Sequence, residues 1–334
     1  MKDFIKEKCD LLVKNREAVH QAFAFEYEVM EVAAAFAFTG AGVQVDSERV
    51  KEVKKFLRKK KGPFSAMRDV GEALTVARMA ASDDYEAYYE KLNMIYEKIK
   101  KKRPFNRAYL VLAAANLCES GKDDEIDAII ADFDELDKRM NQEHPFLTGG
   151  EDWSVAMLLA ISDKSVDSII NEMEECFDYL RLSKVRAAKN GIHGMCQVLT
   201  LMDGDVKTKC DKVIELFEKF RAHGVRYGRE VEFPALGALA DSKVDSDTLV
   251  EEIIEAADYL KKHKGFGCLS LNKATRLMFA TMVVSEAYEQ QNGAVASASL
   301  VKKSVLSNAL TLAVAAEVAM MIIIVACATS SASN

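Results

Sequence analysis

The chain has 334 residues, too many for one ordinary hydrophobic core, so it should form either two domains or an extended array. Hydrophobic content of 49% with 29% charge argues against disorder, and only four prolines and sixteen glycines leave room for long helices on short connections. The net charge of −7 is uneven, with 22 Lys+Arg against 17 Asp+Glu in residues 1–110 and 23 against 35 in the remainder, which gives no strong nucleic-acid signal.

Met1 to Glu7 contains no long apolar run, so no secretory signal is expected there. Residues 3–21 read as a helix capping an array that continues to about residue 290. The first hairpin of that array would run from Phe23 to Phe38, through the loop Thr39-Gly40-Ala41-Gly42, and back from Asp46 to Lys61.

A repeat then sets the organisation. Gly62-Pro63-Phe64, Arg103-Pro104-Phe105 and His144-Pro145-Phe146 are spaced by 41 residues, with Tyr227 and Phe266 continuing the series at roughly one or two periods. In step with them, apolar segments end in small or acidic turns at Ala81-Ser82-Asp83, Cys118-Glu119-Ser120-Gly121, Ile161-Ser162-Asp163, Met202-Asp203-Gly204 and Ala240-Asp241-Ser242. Amphipathic segments follow each turn. In one of them Val213, Leu216, Phe217 and Phe220 fall on a single helical face. The segments before the turns are apolar all round, as in Val155 to Ile161, and so must be buried on several sides.

The unit is an inner apolar helix, a tight turn, an outer amphipathic helix and a Pro-Phe joint, where proline ends one helix and presets the next. The aromatic of each joint is expected to plug the seam between neighbouring hairpins. This is an all-α, α-solenoid-like array of about six helical hairpins with a period near 40 residues.

The segments His144-Pro145-Phe146-Leu147-Thr148-Gly149-Gly150-Glu151-Asp152, Lys264-Gly265-Phe266-Gly267 and Arg276-Leu277-Met278-Phe279-Ala280 resemble a bacterial family catalogued as domain of unknown function 4003. The similarity runs over most of the chain, although this C-terminal tail is richer in Ile and Val than the Ala-rich tails of that family. The resemblance implies a bacterial, cytoplasmic protein. It carries no chemistry, because the family has no established activity.

Seven cysteines, widely spaced and without a C-x-x-C pair, read as reduced and mostly buried, in keeping with a cytoplasmic setting. His20, His193, His223 and His263 lie in different units without ligand spacing, so no metal is expected; no cofactor motif is present, and no catalytic residue is assigned. His144, Glu151, Asp152 and Trp153 cluster at one joint, where the acids suit a helix start and the tryptophan suits packing. Two basic runs, containing Lys59, Lys60 and Lys61 and then Lys100, Lys101 and Lys102, recur 41 residues apart and should share one edge of the array. They read either as complements of helix dipoles or as an anion-facing edge for RNA, acidic protein or lipid headgroups, which Lys273 and Arg276 could extend.

Residues 291–334 read as a linker followed by an apolar, small-residue-rich C-terminal helix and tail. The stretch Ser304 to Ala328 carries one charge, Glu317, after Lys302-Lys303. It reads as a capping or oligomer-forming helix, with a tail anchor on the inner face of the membrane as the alternative. The functional expectation is a helical-repeat protein that binds another protein or its own copy without catalysis. The rivals are an enzyme whose groove gathers His144, Glu151 and Arg276, and an adaptor tethered by residues 304–328.

Overall fold

The structure, a computed structural model, describes residues 1–24, 27–105, 107–229 and 232–293. The described residues form helices and contain no strand. Seven of the helices lie on the outside: α1 (Asp3–Ala22), α3 (Ser47–Lys60), α5 (Tyr85–Ile99), α7 (Ile126–Glu143), α9 (Val166–Leu182), α11 (Val206–Ala222) and α12 (Ser246–Leu260). Each is followed by an inner partner: α2 (Glu28–Gly40), α4 (Glu72–Ala81), α6 (Arg107–Glu119), α8 (Trp153–Ile161), α10 (Lys189–Leu201), the 3-10 segment Phe233–Leu239 and α13 (Lys273–Gly293). The described residues are thus all-α, with helices packed in neighbouring pairs.

Local chemistry sets these elements. Asp46, Asp84, Ser165, Asp205 and Asp245 each accept a backbone N–H of the first turn of an outer helix, satisfying a donor that the helix itself leaves free. The outer helices bury one stripe, such as Val213, Leu216, Phe217 and Phe220 of α11. The inner helices are buried on every side; Trp153 through Ala160 of α8 are all enclosed. At about 1.5–3 kcal/mol for each large apolar side chain buried, packing rather than helix propensity holds this layer together.

Neighbouring outer helices run parallel but staggered, so the end of one meets the beginning of the next. Lys60 pairs with Glu90, Lys98 with Asp127, and Tyr179 with Asp211 in the same way. Inner helices pack in sequence from α2 round to α13.

The first and last hairpins then pack against each other. α1 lies on both α12 and α13, Phe36 of α2 stacks on Phe279 of α13 at 5.7 Å, and Gln290 donates to the Gly40 carbonyl. Buried Lys8 on α1 pairs with buried Glu286 on α13 at 3.2 Å. Among the described residues the array is therefore closed, with seven outer and seven inner elements. The helix expected to cap an open end, residues 3–21, is instead the outer member of the first hairpin, and its outward side receives the last one.

Closure also gives the ring two distinct ends. At one lie the joints that lead from an outer helix into its inner partner; at the other lie the turns that lead out again. The joint aromatics do not behave as expected. Phe266 is buried, but Phe64, Phe105 and Phe146 are 100%, 77% and 94% exposed. Seams between hairpins are filled by helix-borne residues such as Phe133 and Leu136, which leaves the joint phenylalanines pointing into solvent.

Candidate functional site

The joint end of the ring gathers most of the exposed large apolar side chains of the described residues. Of eight large apolar side chains that are exposed among the described residues, six lie there: Tyr27, Phe64, Phe105, Phe146, Leu182 and Leu269. The joints sit beyond the C-termini of the outer helices, where cations are favoured by the helix dipole, and their segments contain thirteen Lys+Arg against six Asp+Glu. The turns at the opposite end contain three against eleven, because acidic residues serve there as N-caps. A chain that is acidic overall therefore presents one basic, apolar-tipped end.

Most of the basic runs are tied down. Lys60 pairs with Glu90 at 3.1 Å, which raises its pKa, and Lys61 donates to Asn93 with its pKa lowered by burial. Lys100 pairs with Glu97, and Lys102 with Asp134. The Lys100–Glu97 pair is local, three residues apart, whereas the contacts of Lys60, Lys61 and Lys102 link one hairpin to the next. Lys59 and Lys101 are exposed and have no ion pair among the described residues. Lys273 is exposed at the start of α13, whereas Arg276 is buried and donates to the carbonyls of Phe266 and Leu271, holding its own joint closed.

The joint at residues 144–152 brings together most of its predicted cluster. His144 contacts Glu174 of the next outer helix at 2.9 Å and tilts against Phe177. Its position matches that of Arg103 one period earlier, which pairs with Asp134 and Asp137. Asp152 accepts the Gly149 N–H at 2.8 Å and Gln197 Nε2 at 2.5 Å, with His193 Nδ1 at 3.6 Å. Trp153 donates from Nε1 to Asp137 and lies 5.4 Å from the Arg103 guanidinium. Glu151 is half-buried, and its carboxylate folds against Gly149, where a side chain would collide with it.

His193 and Gln197 were not legible as site residues in the sequence; their i, i+4 spacing on α10 was the available signal. His193 is 1% exposed, so this cluster is shut off from solvent. Arg276 belongs to a different joint and does not converge with His144 and Glu151. Among the described residues no group of three or more His, Cys, Asp or Glu is arranged to hold a metal.

The thiols are similarly enclosed. Cys9, Cys118, Cys176, Cys196 and Cys210 are buried and unbridged, and Cys268 is exposed. Burial pushes Cys9 and Cys118 up to about 12, which keeps both protonated. Cys327 and the stretch Ser304–Ala328 lie outside the described residues. No described helix is long and apolar enough to cross a membrane.

The sequence matches the family model described as "Protein of unknown function (DUF4003)" over residues 15–319. The chain belongs to the DUF4003 family. That match covers the described helices from the second half of α1 onward and continues past them to residue 319. No curated protein and no solved structure matches the sequence.

Proposed function

We propose that this protein is a non-catalytic binding or scaffold module whose contact surface is the joint end of the ring. One observation carries the reading: Phe64, Phe105 and Phe146 are held in solvent at three successive joints of one end, while the remaining phenylalanine of the series is buried. Isolated exposed apolar side chains are ordinary on protein surfaces, but six of eight gathered at one end of a periodic structure mark a contact region. The enclosed His193–Asp152–Gln197 cluster and the protonated thiols of Cys9 and Cys118 favour a structural over a catalytic reading of the interior. Free cysteines fit a reducing compartment, which supports the cytoplasm as the place of action.

Hydroxyl-radical footprinting tests this. Phe64, Phe105 and Phe146 should be oxidised freely in the purified full-length protein and protected in whole lysate that retains its membranes. Val43 and Met94, exposed away from the joints, should react equally in both. Equal oxidation of the three phenylalanines in both samples would overturn the reading.

A further inference from the structure

We infer that the partner of the joint end is the surface of a bilayer containing anionic phospholipid. The inference rests on the proposed role of the joint end as the contact surface and names what that surface meets.

The argument begins with how the apolar tips are distributed. Phe64, Phe105 and Phe146 each project from a different hairpin, and adjacent helices in such arrays stand roughly 8–10 Å apart. None of the three makes a ring contact with another described aromatic. A protein partner concentrates binding in a contiguous, dehydrated centre ringed by weaker contacts. Three rings that stand on separate hairpins and do not touch one another do not form such a centre. A lipid interface has no such demand, because it is fluid and takes up each side chain independently. Phenylalanine and leucine are residues that bury at this boundary.

Charge points the same way. Lys59, Lys101, Lys184, Arg186, Lys262 and Lys264 are exposed near the joints and have no ion pair among the described residues. Each cation brought to an anionic bilayer strengthens binding about fivefold, and the attraction decays within a Debye length. The acidic turns at the other end would be repelled by the same surface, so the ring has one orientation in which both ends are satisfied. Apolar tips and cations are the two signals that together make reversible membrane attachment stable.

The chain leaves α13 at the turn end, where Gln290 reaches Gly40. Attachment through the joint end is thus separable from anything residues 304–328 do. The test uses full-length protein, sedimented with phosphatidylcholine vesicles with and without phosphatidylglycerol. Binding is expected only with the anionic lipid and should weaken as salt is raised. The variant Phe64→Ser/Phe105→Ser/Phe146→Ser alters only exposed side chains and should keep the melting curve while binding at least about tenfold more weakly. The variant Lys101→Glu/Lys184→Glu/Lys262→Glu should lose the preference for anionic lipid.

Absence of sedimentation overturns the inference. So does sedimentation that survives the phenylalanine changes, which would assign attachment to residues 304–328. A self-association abolished by those changes, without vesicle binding, would replace the bilayer with a second copy of this chain. In all three cases the footprint decides separately whether the joint end is a contact surface at all.

Discussion

Tyr259 on α12 donates a 2.5 Å hydrogen bond to Oδ1 of Asp10 on α1, across 249 residues of sequence. Tyr179 on α9 makes the equivalent bond to Asp211 on α11, the next outer helix, at 2.7 Å. The last outer helix therefore treats the first as its successor. Closure continues the neighbour-to-neighbour relation of the array instead of adding a special clasp.

The buried pair at that seam should be costly to break from one side. Lys8 and Glu286 are 4% and 1% exposed, Lys8 also donates to the Thr39 carbonyl, and burial pushes the Glu286 carboxyl up despite the nearby cation. Removing one partner strands a charge, so Lys8→Met alone should cost about 3–5 kcal/mol in urea unfolding. Lys8→Met with Glu286→Leu should recover most of that loss. If the single and double changes cost the same, the pair is not the seam's main polar contact.

Gly265 gives a second test of closure. Its φ is +86°, and a Cβ there would come within 2.6 Å of three guanidinium atoms of Arg16, which is itself buried and held by Glu31. Gly265→Ala should therefore destabilise by more than Gly121→Ala. The latter residue has φ +71° but open space around it, and its change should cost only the backbone strain, about 1–2 kcal/mol. Thermal melts of the two variants compare them directly.

His144 should behave as a structural residue interchangeable with the arginine one period earlier. His144→Ala removes the contact with Glu174 and the packing on Phe177 and should cost about 1 kcal/mol. His144→Arg, imitating Arg103, should restore stability. A melting temperature lower for His144→Arg than for His144→Ala would break the equivalence of the joints.

The helix caps predict how the protein responds to acid. Hydrogen bonds from Thr208 hold the Asp205 carboxyl below the usual carboxylate range, and those from Thr248 do the same for Asp245. A depressed folded-state pKa means that the caps stabilise fully above the unfolded value, near 3.9, and fail as pH falls through the folded value. Asparagine caps equally well but does not titrate, so Asp205→Asn/Asp245→Asn should match the parent near neutrality and lose less stability on acidification. Melting temperatures along a pH series give the slope.

The 41-residue spacing of Pro63, Pro104 and Pro145, together with acidic turns in step, was enough to read the hairpins and which helix of each faces inward. Asp152 and Trp153 were legible as a helix start because capping chemistry is local. The sequence did not show that Phe64, Phe105 and Phe146 face solvent. An aromatic after a joint proline can turn either way, and helix residues from the neighbouring hairpin fill the seam first. Nor did it show that the basic runs are largely neutralised, since Lys60 and Lys102 find their acids about 30 residues away through the stagger of the outer helices.

Closure was decided only in three dimensions. A repeat specifies its own hairpin and the interface with the next one, and both are written within about one period of sequence. Whether successive hairpins spiral open or return to the start depends on the small rotation accumulated at every interface, a sum that no single segment encodes. Lys8 and Glu286 lie nearly the whole chain apart, and only that accumulated rotation brings them within 3.2 Å.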